Sequence, residues 1–474
     1  MENRVMLADS YKYSHASQYP RNMVSMYDYM EARGGVYPAT KFFGLQYYLK
    51  KYLSTPITYK EIYDASNYAE AHGVPFDFNG WKYIVEELHG NLPVKIKAVP
   101  EGSLIPTGNV LMTIESTDPK VPWIAGWLET LLMKIWYPTT VATKSHYVKQ
   151  MLLKYGSADW AEFAYHNFGD RGATSVESAA IGGIAHLSAG FKGTDNFNSL
   201  SYATQYYNSE IAGYSVFATE HSSTTSHGRD KEHEFVVLML EAHPDSNILS
   251  FVADSYDVYD FTKVCTKKGG KVRELIESRP HQVLVLRPDS GNPIEVLEGM
   301  LKIMHCNGVF DETIQGKLFS SNYRILWGDG ITPENIEEIL QHFTAHTYSD
   351  RPIFAAENFI FGSGGDLMQN MTRDTCKFAI KCSSITTEHW STIEFGGDMT
   401  TTVDHDIFKN PITDPGKTSK KGKVTTALNR NGKYCTVTVA QAEDPNSEYT
   451  KVLYPVYLNG QLLSNDTLDA IRKR

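Results

Sequence analysis

The stretch Val283-Leu-Val-Leu-Arg-Pro-Asp-Ser-Gly-Asn-Pro293 is a short apolar run that stops at a polar, glycine-bearing turn. Read as strand, loop and helix start, it is one repeat of a rhythm that occupies the middle of the chain. Asn247 to Val252 leads into Ala253-Asp-Ser-Tyr-Asp257, Arg324 to Trp327 leads into Gly328-Asp-Gly330, and Ile353 to Ala356 precedes Phe361-Gly-Ser-Gly-Gly365. Helices fill the intervals, as in Thr332-Pro-Glu-Asn-Ile-Glu-Glu-Ile-Leu340, where Thr332 can cap and Pro333 takes the first helical position. A strand roughly every 40 residues with a helix between predicts parallel β/α architecture, whose strand C-termini collect the chemistry. The fold class expected is α/β, an irregular β/α barrel.

Outside this region the period changes from helical to two. Val94-Lys-Ile-Lys-Ala-Val99 alternates apolar and basic residues, and a turn at Pro100-Glu-Gly-Ser103 leads to the apolar Val110-Leu-Met-Thr-Ile114. Tyr434 to Ala440 alternates as well, and Leu458-Asn-Gly-Gln461 carries the Asn-Gly signal of a tight hairpin. Both chain ends are therefore expected to build a second, β-rich domain. The boundaries read are a mixed α+β segment over 1–150, a barrel core over 151–382, and a loop, basic segment and hairpins over 383–474. Within the last, Ser383 to Asp406, with Gly396-Gly397 and Thr400-Thr-Thr402, reads as a surface loop.

At 474 residues, 42% hydrophobic and 21% charged, the chain has ample material for a buried core. Its formal net charge of −10 opposes indiscriminate attraction to a nucleic-acid backbone. Five cysteines, odd in number and without a C-x-x-C, read as thiols in a reducing compartment. The opening MENRVMLADSYKYSH has no apolar core of a secretory signal. Val121 to Val141 contains Glu129, Lys134 and two prolines, which suits a buried helix better than a membrane span. A cytoplasmic protein that engages neither membrane nor nucleic acid is expected.

The polar clusters after the strands combine anion-binding and cation-binding groups. Arg287 can hold a phosphate through two parallel hydrogen bonds, while Asp289 can accept ribose hydroxyls or hold Mg²⁺ through water. The same pair also reads as a salt-bridged strand end. Phe361-Gly-Ser-Gly-Gly365 reads as a glycine loop feeding a helix and presenting backbone N–H groups to a phosphate, although Asp366 at that helix start opposes an anion. Phe168 and Arg171 lie three positions apart in a Gly-flanked loop, where a flat heteroaromatic ring could stack on Phe168 while Asp195 accepts from its exocyclic amide. A core Phe and a capping Asp are the alternative. His221, with Asp254 downstream to orient it, could serve as a phosphoryl nucleophile or as a structural histidine.

Taken in order, Asp9-Ser-Tyr-Lys12, Phe168-Gly-Asp-Arg-Gly172, Gly190-Phe-Lys-Gly-Thr-Asp195, Glu220-His-Ser222, Asp254-Ser-Tyr-Asp257, Arg287-Pro-Asp-Ser-Gly-Asn-Pro293, Gly328-Asp-Gly330, Gly362-Ser-Gly-Gly365, Thr372-Arg-Asp374 and Lys417-Thr-Ser-Lys-Lys-Gly422 resemble the nicotinamide phosphoribosyltransferases, a type II phosphoribosyltransferase family. The resemblance runs from about Met6 to beyond Lys423. It implies transfer of phosphoribosyl from phosphoribosyl pyrophosphate to nicotinamide, giving nicotinamide mononucleotide and pyrophosphate in NAD salvage, by a homodimer with shared sites. It further implies that Tyr11 of one subunit faces Phe168 of the other across the pyridine ring, with Arg171 beside it and Asp195 on the carboxamide. Arg287 and Asp289 would address ribose, diphosphate and Mg²⁺. Gly328, Asp329, Gly364 and Gly365 would line the ribose and 5′-phosphate pocket, and Arg33, Arg373, Lys381 and Lys417 the remaining phosphate contacts. His221 would be a phosphohistidine that couples ATP hydrolysis to transfer.

Two features bear on this reading. Asp195 would repel a carboxylate, which favours nicotinamide over nicotinate. Lys377-Phe-Ala-Ile-Lys381 has Ala379 where the family commonly has a hydroxyl, which removes one phosphate donor. The alternatives are nicotinate phosphoribosyltransferase and a phosphate-binding barrel lyase or isomerase.

Overall fold

The computed structural model describes residues 2–345, 352–392 and 398–474. The chain divides into two compact units, one made of Met1–Thr143, Ala203–Ser209 and Met371–Arg474, the other of Lys144–Tyr202 and Glu210–Asn370.

The second unit is built on parallel strands. Tyr165–Asn167, Phe359–Ser363, Tyr323–Trp327, Val283–Arg287, Ile248–Val252 and Phe217–Ala218 lie side by side in that order, each neighbouring pair parallel. Leu249, Val252, Leu284, Leu286 and Phe361 are wholly buried, the pattern of strands covered on both faces. The two edges meet a common segment. Asn167 bridges Thr194, and Gly193 bridges Tyr214, three residues ahead of Phe217. The Tyr214 N–H donates to Lys192 O at 2.7 Å, and the Asp195 N–H donates to Asn167 O at 3.0 Å. The sheet thereby returns on itself as an irregular barrel, and Asp195 emerges from the closing segment.

The helices after these strands begin where the capping chemistry places them. Asn292 caps Pro293–Cys306, Thr332 caps Pro333–Thr344, and both helices carry Pro in the first turn. Their buried faces, Leu297, Met300, Leu301 and Met304 in one and Ile336, Ile339, Leu340 and Phe343 in the other, follow the helical period. One strand differs from the reading above. Ile353 to Ala356 is not the barrel strand; Phe354 makes a single bridge to Leu318, and a turn at Ala356–Asn358 intervenes before Phe359–Ser363. Asn358, whose side chain donates to Leu318 O at 2.9 Å and Ala355 O at 3.0 Å, ties down that turn. Gly362 consequently lies within a strand rather than a loop.

The first unit centres on a seven-stranded antiparallel sheet. Met23–Ala32 runs through it between Phe378–Thr392 and Val110–Ser116, and Val94–Ala98 pairs onward to Tyr454–Leu458. The hairpin after Leu458 turns on Asn459 at φ 46° and Gly460 at φ 90°, the positive values that an Asn-Gly turn supplies. Ser383 to Asp406 is not a surface loop. Ser384 to Thr392 pairs residue by residue with Asp398 to Asp406, and the threonines and Val403 supply the β-branched side chains such a ladder favours. Gly396-Gly397 lies outside the described residues. Val121 to Val141 folds into the short helices Ile124–Trp127 and Glu129–Met133 and the start of Trp136–Leu152, with Ile124, Leu128, Leu132 and Ile135 fully buried. Among the described residues, no helix is long and apolar enough to cross a membrane. All five cysteines are free.

Candidate active site

At the strand C-termini of the barrel lies a cavity of about 940 Å³. Of the residues anticipated from sequence, Phe168, Arg171, Asp195, Arg287, Asp289, Gly328, Asp329, Gly364 and Gly365 all line it. They come from four separate strand ends and from the closing segment that carries Asp195, which is why no single sequence window contains the site.

The Phe168 ring is seated by glycine. Its backbone N–H donates to Ser363 O at 2.9 Å, which lays the residue across the end of the neighbouring strand. A β-carbon at Gly362 would stand 2.2 Å from Phe168 Cε2, and one at Gly328 would stand 2.9 Å from Asp289 Oδ1. These two glycines are therefore clearances for the ring and the carboxylate. Arg171 follows in the turn Asp170–Gly172.

Asp195 Oδ1 accepts from His166 Nε2 at 2.8 Å and from Ser215 Oγ at 2.5 Å. Burial by itself raises the Asp195 carboxyl, but the His166 hydrogen bond, with Ser215 and the Arg287 charge, brings it below its ordinary value. It stands as a charged acceptor. Asp289 goes the other way: burial raises it, the Arg287 guanidinium opposes the rise, and Asp254 and Asp329 add to it. Arg287 Nε is buried with no hydrogen-bond partner among the described residues. An unpaired buried guanidinium nitrogen at a cavity wall suits an anionic ligand.

The acid at the helix start after the glycines is neutralised internally. Asp366 Oδ2 lies 2.5 Å from Lys144 Nζ, and both side chains are at most 10% exposed. Lys144 also donates to Asp366 O at 2.8 Å. The repulsion expected between Asp366 and an anion is thus offset by a buried lysine about 220 residues away in sequence, which no local pattern reveals.

His221 opens the short helix His221–Thr225 beside the cavity-lining Glu220. Its Nε2 lies 3.0 Å from Asp254 Oδ1, while Asp254 Oδ2 accepts from Ser290 Oγ at 2.5 Å. Facing a carboxylate, Nε2 carries the proton, which leaves the lone pair on Nδ1. The imidazole is about half exposed and Asp254 is 9% exposed. The imidazole is thus oriented by Asp254, and its Nδ1 has no hydrogen-bond partner among the described residues.

The other anticipated residues, Tyr11, Arg33, Arg373, Lys381 and Lys417, belong to the first unit. Tyr11 is 56% exposed. Arg33 Nε donates to Glu31 at 2.8 Å, Arg373 pairs with Asp374 at 3.4 Å, and Lys381 with Glu129 at 3.7 Å. The dense basic run is internally balanced. Lys417 pairs with Asp414 at 3.2 Å, Lys420 with Glu31, Lys421 with Asp406 at 3.5 Å, and Lys423 with Glu115 and Asp404.

Sequence reasoning missed His166, Ser215 and Lys144. His166 alone left a signal: it lies two residues before Phe168 at the end of a strand, where alternate residues share a face. Among the described residues, no group of three or more His, Cys, Asp or Glu side chains is arranged to hold a metal.

Residues 163–442 match the Nicotinate phosphoribosyltransferase family, and residues 3–96 match the Nicotinamide phosphoribosyltransferase, N-terminal domain. The chain is 41% identical over 484 aligned positions to a nicotinamide phosphoribosyltransferase of Xanthomonas campestris pv. campestris, covering 100% of this chain and 98% of that protein. It is 30% identical to one from Acinetobacter baylyi, with 100% and 97% covered. In fold it is similar to a nicotinate-nucleotide pyrophosphorylase from Pyrococcus furiosus, at a TM-score of 0.58 and 14% identity over 99% of this chain and 94% of that one.

Proposed function

The chain belongs to the nicotinate phosphoribosyltransferase family, among its nicotinamide phosphoribosyltransferases, and is a pentosyltransferase; from that premise we propose how its cavity performs the transfer. Nicotinamide lies on Phe168 with its carboxamide N–H toward Asp195, and its ring nitrogen attacks C1 of phosphoribosyl pyrophosphate. The C1–N bond forms as the C1–O bond to pyrophosphate breaks, through an oxocarbenium-like transition state. No protein nucleophile is required. The protein's task is to align the two reactants and to stabilise the departing charge.

The observation that carries this reading is the pairing of Asp195, a charged acceptor, with Arg287, a cation with an unpaired buried nitrogen, in one cavity. The first suits an amide, the second an anionic phosphate. Arg171 and the backbone at Gly328, Gly364 and Gly365, with Asp329, complete the ribose and phosphate contacts. Asp289, whose carboxyl faces Arg287, is the residue that would hold Mg²⁺ through water. When bound, the ion would take most of its ligands from substrate phosphates and water and would neutralise the leaving pyrophosphate.

ATP coupling rests on His221. With Nε2 committed to Asp254, Nδ1 would take the terminal phosphoryl of ATP; an N–P bond forms, the P–O bond to ADP breaks, and hydrolysis returns the imidazole. The homodimer, with Tyr11 of a second copy over the ring, and the roles of Arg33, Arg373, Lys381 and Lys417 on phosphate enter this proposal from the family resemblance. The test is pyrophosphate release by purified protein given phosphoribosyl pyrophosphate with nicotinamide, with nicotinate, or with neither. Release that requires nicotinamide is expected. Release with nicotinate alone, or independent of either pyridine, overturns the assignment.

A further inference from the structure

His166 touches both groups assigned to the pyridine ring. Its side chain is 11% exposed, and its Nε2 stands 2.8 Å from Asp195 Oδ1. Its ring centroid lies 5.0 Å from that of Phe168, the planes inclined at 54°. The closing segment of the barrel makes room for it: a β-carbon at Gly193 would stand 2.6 Å from His166 Nδ1. Ser215 Oγ meets the same Oδ1 at 2.5 Å. Two donors thus occupy one carboxylate oxygen, and the other, Oδ2, receives no hydrogen bond from the described residues.

This asymmetry has a chemical meaning. An unrestrained aspartate can turn either oxygen toward a ligand and, once protonated, can donate as well as accept. Donors fixed on Oδ1 set the plane of the group and leave Oδ2 as an acceptor. An acceptor of fixed direction rewards an N–H and leaves a carboxylate oxygen facing unrelieved negative charge.

We infer that His166 is a positioning residue for substrate selection: by holding Oδ1 of Asp195 while contacting Phe168, it fixes the acceptor that admits a carboxamide and excludes a carboxylate. The inference rests on the nicotinamide reading above and adds to it the residue that sets the direction of Asp195.

The experiment is steady-state kinetics of the full-length protein with nicotinamide and with nicotinate, in wild type, His166→Ala, His166→Gln and Ser215→Ala. Losing a hydrogen bond to a charged group costs about tenfold to a hundredfold. His166→Ala should raise KM for nicotinamide and lower the nicotinamide-to-nicotinate selectivity by that factor, with KM for phosphoribosyl pyrophosphate unchanged. His166→Gln, which retains an N–H donor, should recover most of the selectivity. Ser215→Ala, smaller and less disruptive, should move it in the same direction, so the inference stays testable if His166→Ala does not fold. Wild type that uses nicotinamide while His166→Ala and Ser215→Ala keep its selectivity overturns the inference alone. So does a His166→Ala variant that loses affinity for both substrates equally, or a Gln variant no better than Ala. Wild type that does not use nicotinamide overturns the functional reading and this inference with it.

Discussion

Gly362→Ala adds one methyl group at a place where the structure leaves none. The new β-carbon would lie 2.2 Å from Cε2 and 2.4 Å from Cδ2 of Phe168. Non-bonded carbons settle about 3.5 to 4.0 Å apart, so the ring must withdraw by about 1.3 Å or more. The backbone at Gly362 is not left-handed, so alanine brings no conformational strain of its own. Phe168 cannot retreat as a unit, because its N–H is tied to Ser363 O at 2.9 Å. Overpacking of this kind costs about 1–3 kcal/mol of stability, and misplacing a reacting ring by about 1 Å costs on the order of a hundredfold in rate. We expect kcat/KM for nicotinamide to fall about tenfold to a hundredfold, while KM for phosphoribosyl pyrophosphate is unchanged. Denaturant unfolding of Gly362→Ala, Phe168→Ala and the double variant should give a coupling of about 1 kcal/mol or more, since the clash disappears with the ring. Additive effects within about 0.5 kcal/mol would refute the steric account, as would an unchanged KM for nicotinamide.

Three further expectations follow from the same geometry. Asp195→Ala removes the amide acceptor but not Arg287, so kcat/KM for nicotinamide should drop about tenfold or more while KM for phosphoribosyl pyrophosphate holds; equal loss toward both substrates would contradict the assignment. His221→Ala should leave basal transfer in place and abolish its stimulation by ATP, measured as product formed with and without the nucleotide; loss of basal transfer would mean a direct or structural role. Glu101 is buried, with Oε1 accepting the Gln46 N–H at 2.6 Å, and burial pushes its carboxyl from 4.5 up to about 7. Its folded form holds a proton that the unfolded chain releases, so its contribution is fully present below about 4.5 and is lost as pH rises to about 7. Glu101→Gln should therefore flatten the decline in urea-unfolding free energy across that window, and a variant that keeps the wild-type slope would show that another group is responsible.

The barrel was legible because three of its strands, Ile248–Val252, Val283–Arg287 and Tyr323–Trp327, are short, mainly apolar runs followed by capped helices. The fourth was misplaced for a physical reason: glycine signals a turn in sequence, and at Gly362 it instead makes room for an aromatic ring that approaches from another strand. The threonine-rich stretch before Asp406 misled in the opposite sense, its polarity suggesting a loop while its β-branched side chains extended a ladder. Arg287 and Asp289 could be anticipated because they end or closely follow an apolar run, whereas Phe168 and Asp195 took their roles from the family resemblance of the motifs that hold them. His166 left only its place two residues before Phe168, where alternate strand residues share a face, and Ser215 and Lys144 left no local mark that distinguishes a partner in the site from an ordinary polar residue.

Local order along the chain determined the periodicities, the caps and the apolar runs, since each depends only on neighbours within a few residues, and with them the β/α class and the group of strand-end residues. Only the tertiary structure decided what those residues do to one another. Closure of the barrel through Lys192 to Asp195 brings His166 and Ser215 onto one oxygen of Asp195, and the buried Lys144 cancels Asp366. Electrostatic roles of this kind depend on distance and desolvation, which are properties of the folded chain and are not written in the order of its residues.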